Sequence, residues 1–130
     1  MKIVVCVKHV PDAQADRRFE SDHTVDRVGV DGLLSELDEY AVEQALQVKE
    51  KREGEEVTVT ALCVGPERAA DAIRKALQMG AHKGVHVQDE ALHGSDAVAT
   101  SLVLAKAVEK VTDGSPELVL TGMSSTDGVM

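Results

Sequence analysis

At 130 residues, 43% hydrophobic and 28% charged, the chain has the size and composition of one globular domain with its own core. Its 23 acidic residues outnumber 14 basic ones, and the net charge of −9 argues against nucleic acid as a partner, because phosphate neutralisation needs a basic face. No apolar run is long enough to span a bilayer, and the strand pattern from residue 2 leaves no space for a leader, so a cytoplasmic location without membrane insertion is expected.

The first strand is the continuous apolar run from Lys2 to Lys8, which reads as buried on both faces in a parallel sheet. Residues 9–31 are polar, too long for a plain connector, and a short hairpin is expected over 24–30. Ser35 opens the first helix, with Asp38 expected to complete a capping box and Leu37, Ala41, Ala45 and Val48 as its buried stripe. Residues 57–64 form the second strand. Gly65-Pro66 then starts a helix whose inner face is Ala69, Ala72, Ile73, Ala76 and Leu77, with Gly80 as a left-handed cap. The third strand, 83–88, alternates polar and apolar residues and reads as an edge. Ser95 caps a third helix running to about Val111 with a broad apolar face, and 117–121 is the fourth strand.

This β-α-β-α-β-α-β pattern predicts an α/β fold: a three-layer, doubly wound parallel sheet in the order third-second-first-fourth. Its switch point lies between the first and fourth strands, where such folds bind ligands. The loop placed there is Gly122-Met123-Ser124-Ser125-Thr126-Asp127-Gly128. Gly122 admits close backbone approach, the hydroxyls are small donors, and Asp127 is placed to accept from a ribose hydroxyl. The same loop also reads as an ordinary N-cap. No GxGxxG follows the first strand, and no GxxxxGK[ST] or GxSxG occurs. His82 and His86 have zinc-pair spacing but are expected on the exposed face of a strand. His9, His23 and His93 read as structural or solvated. Cys6 and Cys63 lie in strands without a CxxC and read as small buried hydrophobes.

Several segments, in order, resemble the electron transfer flavoprotein beta subunit, the FixA family. These are the opening from Lys2 to Asp12, the helix Leu37-Asp38-Glu39-Tyr40-Ala41-Val42-Glu43-Gln44-Ala45, and Val64-Gly65-Pro66-Glu67 followed by residues 73–81. His93-Gly94-Ser95-Asp96 and Gly122 to Gly128 complete the match. The resemblance implies an adenine-nucleotide-binding, HUP-like domain over residues 1–130, truncated at its C-terminal side. It also implies a heterodimer whose alpha subunit holds most of the FAD while this subunit binds AMP. AMP contacts carried over by motif fall at Cys6, Ser35, Glu36, Leu37, Asp38 and Val64, and at Gly122, Met123, Ser124, Ser125, Thr126, Asp127, Gly128, Val129 and Met130. Ala13 and Leu37 stand where some members carry aromatics.

The implied role is an electron carrier between acyl-CoA or other dehydrogenases and a quinone oxidoreductase, with no bond chemistry of its own. An electron-bifurcating relative with a second FAD in the AMP site, or a stand-alone ATP-binding stress-type domain, are the alternatives. A complete beta subunit is about twice this length, so the chain is expected to be a fragment that holds neither nucleotide tightly alone.

Overall fold

In the computed structural model, which describes residues 1–130, the first strand β1 (Lys2–Cys6) is the buried centre of the sheet. It pairs in parallel with β4 (Thr58–Val64) on one side and β6 (Leu118–Thr121) on the other, and β5 (Lys83–Val87) adds to β4. The order β5-β4-β1-β6 is the third-second-first-fourth arrangement expected from the sequence. The alternation of strand side chains divides the core between the two faces. Ile3, Val5, Val7, Val59, Ala61 and Cys63 face helices α1 (Glu36–Glu50) and α2 (Ala70–Met79). Val4 and Leu62 face helix α3 (Ala97–Val111), whose Val108 closes that smaller cluster. No helix is long and apolar enough to cross a membrane.

Alanines let α1 and α2 approach the sheet closely. Ala41, Ala45, Ala69, Ala72 and Ala76 are all buried, with Val42 and Ile73 filling the spaces between. Three expected stripe residues depart from this: Leu37 and Val48 are half-buried, and Leu77 is exposed. Gly65-Pro66 leads first into a short 3-10 turn, Glu67–Ala69, and Gly80 ends α2 with φ +127° as expected of a left-handed cap. The cap of α3 is Asp96 rather than Ser95. Asp96 Oδ1 accepts from Ala99 N–H at 2.8 Å, while the Ser95 hydroxyl donates to the Leu92 carbonyl. The apolar face of α3 is largely open, with Val98 77% and Leu102 62% exposed.

The segment 9–31 is not one plain loop. Its ends form an antiparallel ribbon, β2 (His9–Pro11) against β3 (Gly32–Leu34), so residues 12–31 become an arm closed at its base. The hairpin expected over 24–30 does not form; the arm instead carries one bridge, Phe19 with Val25. Three-residue strands leave no periodicity in a sequence, but burial of Val10 and Leu34 gives this ribbon its hold on the core.

Gly84 in β5 lies directly beneath Ile73 of α2, and a Cβ there would overlap Ile73 Cγ2. Gly84→Ala is expected to lower stability by about 1–3 kcal/mol through overpacking. In denaturant melts, combining it with Ile73→Ala should cost less than the sum of the two single changes. Strict additivity would reject the contact as the cause.

Candidate functional site

The ends of β1 and β6 are joined through one carboxylate. Asp38, in the first turn of α1, is buried; its Oδ2 accepts from the Lys8 N–H at 2.8 Å, and the Gly122 N–H donates to the same group. Lys8 follows β1 and Gly122 follows β6, so Asp38 spans the switch point. A Cβ at Gly122 would overlap Asp38 Oδ1 and press on the Leu37 carbonyl, which is why glycine stands there. Burial pushes the Asp38 pKa up, and the two N–H donors oppose that rise only in part.

The expected capping box is absent. Ser35 does open α1, but its hydroxyl makes no cap bond and is buried without a partner. Its backbone N–H donates to the Lys8 carbonyl at 2.9 Å, and the Asp38 side chain turns to the strand ends instead. Two backbone donors at the sheet end, left without ladder partners, take the carboxylate in place of the reciprocal cap.

The loop after β6 folds on Ser125. Ser125 is buried; its N–H donates to the Met130 carbonyl at 2.8 Å, its carbonyl accepts from Val129 N–H, and its Oγ accepts from Gly128 N–H at 3.3 Å. Val129 takes φ +58° to close this turn. The N–H groups of Met123, Ser124, Thr126 and Asp127 have no partner within the chain. The Asp127 side chain is 1% exposed, with Lys8 Nζ at 2.8 Å on one oxygen and Arg27 at 2.8 Å on the other. Lys8 Nζ also donates to Ser125 Oγ at 3.2 Å, and Arg17 donates to the Thr126 carbonyl at 3.0 Å. Burial alone would raise the Asp127 pKa, but bonds from Lys8 and Ser125 and the charges of Lys8 and Arg27 outweigh it and hold it at about 2.

The structure therefore gathers Ser35, Asp38, Gly122, Ser125 and Asp127 around the two strand ends. Thr126, Gly128, Val129 and Met130 complete the turn. Ser124 is half-buried, while Met123 points away and is 95% exposed. Cys6 sits in register with Thr121 and opens on a groove of about 530 Å³ shared with Leu104, Val108 and Val119. Val64 ends β4, half-buried. Glu36 and Leu37 line a different cleft, of about 650 Å³, with Tyr40, Asp71 and Lys75. Sequence reasoning does not reach Lys8 or Arg27 as site residues. Arg27 lies 100 positions from Asp127, and only folding brings them into contact.

The other titratable groups are structural. His82 is exposed just before β5, where its Nδ1 accepts from the Val59 N–H at 3.0 Å. His86 does not share that exposed face: it is half-buried, with Nε2 2.9 Å from the Gly65 carbonyl. His9 is buried in β2, and burial lowers its pKa. Burial raises both thiols, Cys63 to about 11; Cys6, nearer the sheet end, is only half-buried.

Residues 22–130 match the model of the electron transfer flavoprotein domain. The chain belongs to the electron transfer flavoprotein family. It is 50% identical to the electron transfer flavoprotein subunit beta of Mycobacterium tuberculosis (strain ATCC 25618 / H37Rv), over 98% of this chain and 48% of that protein. It is 49% identical to the corresponding subunit of Mycobacterium leprae over the same shares. Protein FixA of Sinorhizobium fredii is 42% identical, over 98% of this chain and 45% of its own length. The chain spans about half the length of the curated relatives it matches. The switch-point loop, residues 122–130, lies inside the part of the chain that this family shares.

The Asp127 pKa of about 2 lies below the roughly 3.9 of an unfolded aspartate, so its ion pairs stabilise the fold above about pH 4 and are lost as pH falls towards 2. Asp127→Asn is expected to cost about 2 kcal/mol at pH 7, and the gap from wild type should narrow between about pH 4 and 2 in urea melts. A gap that stays constant across that window would rule out the ion pairs as the source.

Proposed function

We propose that this chain forms the adenine-nucleotide-binding part of an electron transfer flavoprotein beta subunit and binds AMP at the switch point between β1 and β6. The observation that carries this reading is the set of four unpartnered N–H groups, at Met123, Ser124, Thr126 and Asp127, in the loop after β6. Grouped backbone donors suit a phosphate. The loop amides hold the phosphate, Ser124 and Thr126 add hydroxyl donors, and Cys6 and Val64 offer apolar surface to the base. Asp38 keeps the strand ends in place from α1. Glu36 and Leu37 stand at the rim of this arrangement, towards the neighbouring cleft.

In this reading the chain works in a heterodimer. An alpha subunit holds most of the FAD, and the flavin supplies the redox chemistry when bound. Membership of the electron transfer flavoprotein family supports reading the chain as part of an electron carrier rather than an enzyme. Family membership supports a route from acyl-CoA and other dehydrogenases to a quinone oxidoreductase, in the cytoplasm.

Mass spectrometry of nucleotide released from the purified holoprotein should find about one equivalent of AMP and no ATP. Two equivalents of FAD per heterodimer with no AMP would replace this reading with the electron-bifurcating one.

A further inference from the structure

Lys8, Asp127 and Arg27 form a unit whose contacts are all made within the chain. Lys8 belongs to the end of β1, Arg27 to the 12–31 arm, and Asp127 to the loop after β6. Each cation takes a different oxygen of Asp127 at 2.8 Å. The side chain is 1% exposed, so an outside hydroxyl reaches it only by displacing one of them.

Lys8 is itself held at both backbone groups. Its N–H donates to Asp38 and its carbonyl accepts from the Ser35 N–H. Its Nζ therefore extends from a point tied to the start of α1, and it reaches Ser125 as well as Asp127. The arm contributes a second, independent tie through Arg17 and the Thr126 carbonyl. The same loop thus has its position set from β1 on one side and from the arm on the other.

We propose that Lys8, Asp127 and Arg27 are a clasp that positions the 122–128 loop for nucleotide and holds the 12–31 arm against it, with the Asp127 carboxylate acting in positioning and making no contact with the ligand. The ligand in this proposal rests on the AMP reading above; the clasp itself does not. Opening the clasp displaces the loop amides from the phosphate and frees the arm at the same time. A ribose contact by Asp127 would act at one hydroxyl and leave the arm alone.

The test uses the native holoprotein and its Asp127→Asn, Arg27→Gln and Arg27→Lys variants. Amide hydrogen exchange should speed up by about tenfold or more in both 12–31 and 122–128 for Asp127→Asn and Arg27→Gln, and Arg27→Lys should recover part of the protection. After nucleotide removal, AMP affinity should fall about tenfold in the first two variants. The affinity ratio of AMP to 2′-deoxy-AMP and to 3′-deoxy-AMP should be the same in wild type and Asp127→Asn. Loss of that ratio in Asp127→Asn would establish a ribose contact and overturn the positioning role. An arm whose exchange is unchanged in both variants would overturn the clasp. If wild type binds no AMP, the nucleotide reading fails, and hydrogen exchange still decides the clasp. Arg27 is at the surface, so Arg27→Gln decides the clasp if Asp127→Asn does not fold.

Discussion

A single buried carboxylate sets the working end of this molecule. Parallel strands of a doubly wound sheet diverge at the switch point, and their trailing N–H groups lose the ladder partners they had inside the sheet. Asp38 accepts from Lys8, two residues past β1, and from Gly122, directly after β6, so it replaces those partners across the gap. The cost is a carboxylate in a buried place, visible in its raised pKa. The benefit is a fixed spacing between the two strand ends. Gly122 follows from that demand, because any side chain would occupy the position of Asp38 Oδ1.

The two faces of the sheet differ in a way that matters for assembly. The α1/α2 face is closed by alanine-rich helices over a large cluster, whereas the α3 face holds a small cluster and leaves Val98 and Leu102 open. Val119 of β6 is also partly open on that side, and Cys6 looks into the same groove. The site therefore lies where the well-packed and the open parts of the domain meet. Its order comes from polar contacts more than from packing, as Ser125, Asp38 and Asp127 show.

Charge is arranged against the overall balance. The chain carries a net charge of −9, yet Lys8, Arg17 and Arg27 converge on the 122–130 loop. Asp127 pairs with the first and last of these, and Asp38 lies at the same end beside Lys8. Three cations thus meet at a loop of an otherwise acidic chain, and two of them are engaged in the Asp127 ion pairs that hold the loop.

Much of the architecture was legible in the residues. A continuous apolar run marked β1 as an interior strand, alternation marked β5 as an edge, and Gly80 marked the end of α2. The switch-point rule located the loop from Gly122 to Gly128, and the family motifs matched it. These signals are local, because hydrophobic period and turn chemistry act over a few residues. Tertiary structure decided what distance in sequence hides. It paired His9–Pro11 with Gly32–Leu34, turned Asp38 from its own helix start to two strand ends, and moved the α3 cap to Asp96. It also placed Arg27 on Asp127 across 100 residues. A buried polar group takes whichever donors the fold brings within reach, and that choice depends on the assembled sheet rather than on neighbours in the chain.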